Sequence, residues 1–450
     1  MPATETQAPA ALAPYLADFE RHDRELQDRA GSEPAFVQAL RRAGLERFAA
    51  LGFPNNQQEE WRLTNVAPIV QGSFHRSQGD PNGVAPEQIA PYDFPAAARL
   101  VFVDGRFSSR LSSSTALPSG IVATSLAAAL VASPGLVEPW LGQLASFEQQ
   151  PFVALNTAFL GDGAFIHVPR GAASGLIHVL FLSSSEDGRA TVSYPRNLFV
   201  AGENSQLTVV ETYAGTGAYF NCPVTELVAG ANSNVDHYKV QRESREAFHV
   251  ATFQVQGERD SVPRSHSISL GGGLVRNDVN AVLAGEGIDC TLNGLYLVDG
   301  RQHVDNHMRV EHAKPHCASH ELYKGVLDGK GRAVFNGLIH VHPGAQKTDA
   351  KQSNRNLLVS REAVANSNPQ LEIYADDVKC THGSTVGQLD EDAVFYLRSR
   401  GIGEEAARSL LTWAFASDIV ERIQVEPVRK DLEEFLFARL PKGEIVRQAV

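Results

Sequence analysis

Cysteine is scarce in this chain. Only four occur in 450 residues, Cys222, Cys290, Cys317 and Cys380, and no two form a Cys-x-x-Cys pair. That excludes a disulfide framework and fits reduced thiols in a cytosolic setting. Basic residues form no block. Against 40 Lys and Arg stand 52 Asp and Glu, a formal net charge of -12. Such an acidic chain is a poor candidate for nucleic-acid binding. No apolar run approaches the ~20 residues of a membrane-spanning helix. The N-terminus, Met-Pro-Ala-Thr-Glu-Thr, lacks a basic region leading into an apolar stretch. No signal peptide is expected there, and a bacterial cytoplasm is the expected location. Gly-x-x-x-x-Gly-Lys-Ser/Thr is missing, so any ATP hydrolysis belongs to a partner. Gly-x-Ser-x-Gly is missing too, and with it the nucleophile elbow of a serine hydrolase.

What is present is length enough for a large core and two or three domains. Residues 11–51 repeat apolar side chains at helical spacing: Leu16, Phe19, Leu26, then Phe36, Leu40, Leu45, Phe48 and Leu51. Trp61 reads as core packing. Residues 71–95 are rich in Gly, Pro, Ser and Asn and read as a loop or linker. Leu100-Val101-Phe102-Val103-Asp104-Gly105 reads as a short buried strand and turn, and helical pieces return between residues 125 and 159. After Gly161-Asp162-Gly163 the character changes. Short β-like runs closed by Gly, Asn or Asp follow one another to about residue 374, among them Ile177-His178-Val179-Leu180-Phe181-Leu182 and Gly337-Leu338-Ile339-His340-Val341-His342. Many short strands without helices between them mean an all-β body. Sandwich, barrel and β-helix all satisfy this pattern, and no exact sequence repeat decides among them. A stacked body has open ends, which flanking helices can cap. From Asp390 onward the chain is helical again. Asp390 suits an N-cap and Gly401 a C-terminal cap, and a last helix is expected over residues 431–440. Gly401-Ile402-Gly403-Glu404-Glu405-Ala406 mimics a dinucleotide fingerprint, but it follows a helix and lacks the βαβ context.

One stretch carries chemistry, residues 371–389. Leu371, Ile373, Val378 and Cys380 suggest extended chain, on which Cys380 and His382 point to one face. Their Cα atoms then stand roughly 6.6 Å apart, close enough to share a soft metal or an iron–sulfur species. Lys379 is expected to favour the thiolate. Two ligands do not fill a coordination shell, so others must come from elsewhere in the fold or from another chain. Histidines also crowd residues 303–342: His303, His307, His312, His316, His320, His340 and His342, with Cys317 among them. On a strand, residues four apart lie roughly 13 Å from each other, too far for one metal. His340 and His342 can share a face.

The run Leu-Glu-Ile-Tyr-Ala-Asp-Asp-Val-Lys-Cys-Thr-His-Gly-Ser-Thr-Val-Gly, with Phe395-Tyr396-Leu397-Arg398-Ser399-Arg400-Gly401-Ile402 after it, closely resembles the SufB/SufD family of iron–sulfur cluster assembly scaffolds. So do Ala345-Gln346-Lys347-Thr348-Asp349-Ala350, Asn354-Arg355-Asn356-Leu357-Leu358, the segment from His312 to Gly325, and Phe335-Asn336-Gly337. The likeness is dense from about residue 165 to 423, and weaker at Glu59-Glu60-Trp61-Arg62. It implies a right-handed parallel β-helix over residues 161–386. A mostly helical domain over 1–160 precedes it, and a C-terminal helical domain over 387–450 docks the ATPase partner SufC through Phe395, Tyr396, Arg400, Leu410, Leu411 and Phe415. SufB-type chains carry Glu-His-Glu-Ala where this one has Thr381-His382-Gly383-Ser384. They also place a cysteine in the segment that here reads Gln352-Ser353-Asn354-Arg355-Asn356-Leu357. Both departures resemble the SufD branch, and place the main sulfur-accepting thiol on SufB. The resemblance then implies a non-catalytic scaffold that builds a transient iron–sulfur cluster with SufB at the end of the β-helix. His382 is the first candidate ligand and Cys380 the second. A homodimer when alone and a flavin (FAD) are also implied, though no motif locates a flavin. The rivals are a purely structural partner of an ATPase and a stand-alone metal-binding or carbohydrate-active β-helix enzyme. The enzyme needs carboxylates gathered on one face, and neighbours such as Asp376 and Asp377 on a strand face opposite ways.

Overall fold

A computed structural model describes residues 9–29, 33–115 and 117–449. The first eight residues, read above for targeting, lie outside them. The chain is mainly β, a parallel β-helix of about eight turns with helices before and after it. Two long sheets form its walls. One runs from Ala98–Val103 through Ala173–Ser184 to Lys379–Gly387, the other from Val122–Ser125 to Val364–Ile373. Within the helix successive strands of each wall pair in parallel, as in Ala318–Leu327 with Asp349–Leu358. Strand Ala98–Val103, far upstream of the main body, pairs in parallel with Ala173–Ser184 and so begins the first wall.

The composition explains the stacking. Val, Ile, Leu and Phe alternate along the strands, and one alternate set fills the lumen. Phe102, Phe181 and Tyr213 share one register column, with ring centroids 5.0 and 4.7 Å apart. The corners also repeat. Gly171, Asn204, Asn232, Asp260, Gly287, His316 and Lys347 each take a left-handed backbone conformation between consecutive strands. Gly, Asn and Asp enter that region at little steric cost. His316, one of the crowded histidines, is therefore a turn residue.

Helices cover the flanks. Phe48, Phe53, Trp61, Phe152 and Phe159 pack on one outer face against Tyr194, Phe220 and Val250. Ile419, Val420, Ile423, Val428, Leu432 and Leu436 pack on the other, against Val240, Ile268, Leu295 and Val326. The C-terminal helices thus lie along the side of the β-helix and do not cap its end. Two local expectations change. The last long helix is Glu426–Arg439, because Pro427 suits a first helical turn. The 71–95 stretch is not bare linker: Pro86–Ile89 forms a helical turn, and Ile89 is buried.

The two ends differ. At the start, short antiparallel strands Arg106–Phe107 and Ser113–Ser114 flank Ala98–Val103, and Val122–Ser125 runs antiparallel to Ala164–Val168. At the finish, Val364–Ile373 pairs only with Arg332–Val341, and Lys379–Gly387 only with Asp349–Leu358, among the described residues. That last turn presents free strand edges.

Candidate functional site at the open end

Strand Lys379–Gly387 takes its register from the corner of the turn below, where the Lys379 amide donates to the Thr348 carbonyl. Cys380 stands over Ala350 and His382 over Gln352. Ala350, Gln352, Asn354 and Asn356 are the buried, inward residues of the turn below. Cys380 and His382 therefore continue the lumen columns, and meet solvent only because no further turn covers them. His382 is exposed. Cys380 is half-buried against the small cluster of Ile339, Val341, Ala345, Ala350 and Ala375. Next to them, a Cβ on Gly383 would meet nothing within 4 Å. A partner backbone has room to approach there.

Lys379 does not lower the Cys380 thiol as the sequence suggested. Burial pushes the thiol up, the Asp349 carboxylate adds to that, and only a hydrogen bond with the Ala350 backbone opposes them. The physical reason is the pleat: Lys379 and Cys380 are neighbours on a strand and face opposite ways. Cys222 and Cys290 are fully buried and their thiols pushed well above the usual range, mainly by desolvation.

Beneath His382 the lumen turns polar. Gln352 Nε2 donates to Glu321 Oε2 at 2.5 Å, and both residues are 3% exposed. Burial pushes the Glu321 carboxyl up to about 7, while Gln352 and Ser319 pull it the other way. The column Glu321, Gln352, His382 spans three consecutive turns. Sequence reasoning missed Glu321 and Gln352. The signal was there as a spacing, since Glu321 and Gln352 stand 31 residues apart, one turn of the helix, with His382 nearly the same step further on.

The other histidines are engaged elsewhere. His303 meets Thr64 at 2.8 Å, His307 meets Asp305 at 3.2 Å, and His312 meets Ser319 at 3.0 Å. His340 and His342 do share a face, ring centroids 4.8 Å apart, but bond to Glu372 and Glu311 respectively. Among the described residues no group of three or more His, Cys, Asp or Glu is placed to hold a metal ion. At the open end, Cys380 and His382 offer one sulfur and one nitrogen.

The residues expected to dock an ATPase fall into two sets. Phe395, Tyr396 and Arg400 form one exposed patch on or just after helix Glu391–Ser399, with Arg400 bonded to the Tyr396 hydroxyl at 2.8 Å and its guanidinium 4.9 Å from that ring. Phe395 is 70% exposed. Leu410, Leu411 and Phe415 lie half-buried on helix Glu404–Val420. Phe415 faces the β-helix, where Lys324 donates to its carbonyl at 3.1 Å and sits 4.7 Å from its ring.

One cavity is a poor fit for the implied flavin. A cavity of about 360 Å³ lies between the N-terminal helices and the first turns, lined by Arg76, Arg106, Phe107, Phe159 and Tyr194 among others. Arg76 is spent on Asp18 and Glu25, and Arg106 on the Gly79 carbonyl, so neither is free for a diphosphate.

Residues 181–415 match the SufBD core domain of the SUF system for iron–sulfur cluster assembly, and residues 11–175 match the SufBD N-terminal region. An iron–sulfur cluster assembly SufBD family protein of Synechocystis is 32% identical over 439 residues, covering 94% of this chain and 96% of the relative. The iron–sulfur cluster assembly protein SufD of Escherichia coli is 32% identical over 411 residues, covering 89% and 92%. SufD of Bacillus subtilis is 27% identical over 440 residues, covering 93% and 95%. No described helix is long and apolar enough to cross a membrane.

Proposed function

This chain belongs to the SufBD family of iron–sulfur cluster assembly proteins, and from that premise we propose that it is the SufD-type scaffold subunit of a SufB–SufC–SufD complex. In this reading the cluster is cargo, assembled between the open end of the β-helix and a SufB-type scaffold. The partner adds its own strands to the free edges Val364–Ile373 and Lys379–Gly387. His382 supplies a nitrogen ligand and Cys380 a second, sulfur ligand. The sulfur-accepting thiol comes from SufB, because the segment Gln352 to Leu357 has no cysteine here. The chain turns over no substrate.

SufC supplies ATP hydrolysis and docks on the patch of Phe395, Tyr396 and Arg400, with Leu410, Leu411 and Phe415 behind it. Motion of that patch reaches the sheet through fixed points. Lys324 pairs with Asp418 at 2.7 Å, and Arg439 with Asp299 at 2.9 Å, each joining a C-terminal helix to the flank of the β-helix. A pull on the helices then bears on the strands that end at the open turn. Three units serve the three tasks: residues 1–160 brace the β-helix and lend it the wall strand Ala98–Val103, 161–386 carry the site, and 387–450 meet the ATPase. Without SufB, the same free edges suit a second copy of this chain.

The observation that carries the reading is His382, exposed on an uncovered final turn while its column is buried in the turn below. The test is cluster content of the purified three-subunit complex. His382→Ala is expected to leave assembly of the subunits intact and to remove most of the iron and sulfide. Cys380→Ser is expected to reduce them less. A second reading, a purely structural partner of the ATPase, has one observation on its side: Cys380 packs into an apolar cluster with its thiol pushed up. Full cluster content in the His382→Ala complex supports that reading and removes His382 from the site.

A further inference from the structure

The lumen below His382 holds a mismatch. Glu321 and Gln352 are each 3% exposed, yet Glu321 Oε1 and Gln352 Oε1 make no hydrogen bond within 3.5 Å among the described residues, the Ser319 hydroxyl being the one further donor near the Glu321 carboxyl. Their other side-chain atoms are fixed, since Gln352 Nε2 donates to Glu321 Oε2 at 2.5 Å. Gln352 lies across the lumen because Gly337, on the opposite wall, has no side chain. A Cβ there would stand 2.5 Å from Gln352 Nε2 and 2.6 Å from its Oε1. Two oxygens without a partner, one of them on a carboxyl group, are therefore buried on adjacent turns of one low-dielectric column. Buried acceptors without donors are costly, and a cation relieves that cost. The next residue up the same column is His382, at the mouth.

We propose that Glu321, Gln352 and His382 form a binding site for one divalent transition-metal ion of the ferrous class, entered from the open end. The donors are a carboxylate oxygen, an amide oxygen and an imidazole nitrogen, a set that suits iron, manganese or cobalt in the divalent state. Strands in one wall stand ~4.8 Å apart, so Glu321 and His382 lie two steps apart with Gln352 between them. Side chains reaching toward each other close that span around an ion. The site is distinct from the thiol of Cys380, which heads the neighbouring column over Ala350 and Ser319. It deepens the proposed function, on which it rests, by giving iron a holding place one level below the assembly site. Binding exchanges water on the ion for the three side-chain donors, displaces any proton from the Glu321 carboxyl to solvent, and leaves the ion divalent.

The experiment is an anaerobic titration of the purified chain with Co(II), read by visible absorption and calorimetry. His340→Ala is present in every sample to remove background binding at the His340–His342 pair. One Co(II) is expected to bind through nitrogen and oxygen, without a thiolate charge-transfer band. Glu321→Gln and Gln352→Leu are each expected to weaken it by about tenfold or more, with unchanged circular dichroism and melting, and Cys380→Ser is expected to change nothing. Wild-type Co(II) affinity in both folded variants overturns the site. So does a thiolate band that Cys380→Ser abolishes. The proposed function fails separately: loss of Co(II) in Glu321→Gln, with full cluster content in the His382→Ala complex, keeps the ion site and sinks the assembly reading.

Discussion

At the scale of single residues, what a side chain does is set by which turn it stands on. His382 and Gln352 occupy the same inward column, yet one is exposed and the other buried, because only Gln352 has a turn above it. Gly337 and Gly383 show the same contrast. Gly337→Ala drives a Cβ into the Gln352 side chain and is expected to destabilise the chain by about 1–3 kcal/mol. Gly383→Ala meets open space and is expected to stay within about 0.5 kcal/mol of wild type. Urea denaturation of both checks the pair. Cys380 and His382 were legible in the sequence because their relation is local, two positions along one strand. Glu321 was not, because its relation to Gln352 and His382 runs between turns, and only the register reveals it. The expected help from Lys379 failed for the opposite reason: adjacency in sequence was mistaken for adjacency in space.

At the scale of elements, the N-terminal segment is tied to the β-helix by one buried network. Arg276 donates to Asp305 at 2.8 Å, to Asp278 at 2.8 Å and to the Glu60 carbonyl at 2.8 Å, with its guanidinium 4.2 Å from the Trp61 ring. Burial raises the Asp305 carboxyl, but Arg276, His307 and Thr64 outweigh it and hold the group well below the usual carboxylate range. A depressed carboxyl contributes stability above its unfolded pKa and loses it as pH falls through the folded one. Arg276→Met leaves that carboxylate without its cation and is expected to cost about 3–5 kcal/mol at pH 7. Asp305→Asn is expected to flatten the acid side of the stability curve. Urea midpoints at pH 7 and at pH 3 test both; equal losses at the two pH values contradict the account. The C-terminal patch behaves differently. Phe395→Ser and Tyr396→Ser remove exposed rings, so stability is expected to stay within about 0.5 kcal/mol while affinity for the ATPase falls by about tenfold or more. Calorimetry with the purified ATPase reads that loss. Helix Glu404–Val420 was visible from its apolar spacing, but not its seat. The same stripe fits an end cap and a flank, and only the outward residues Val240, Ile268 and Leu295 decide for the flank.

At the scale of the whole molecule, the decisive feature is the inequality of the two ends. The first turns are flanked by antiparallel strands, while the last turn has none beside it among the described residues. The sequence told of an all-β body through its short strands, but the stacking itself came only from resemblance. Its repeat is one of geometry, a left-handed corner filled by Gly, Asn, Asp, His or Lys in every turn before the last. No residue type recurs strictly enough to mark it. The central claim is that the uncovered last turn is where a second scaffold adds its strands. Hydrogen–deuterium exchange of this chain, alone and with a SufB-type partner, measures that claim directly. The account predicts slowed exchange on binding in Val364–Ile373 and Lys379–Gly387, with the first turns unchanged. Protection that appears only on the helical flanks, with the last turn exchanging as fast as before, would contradict it.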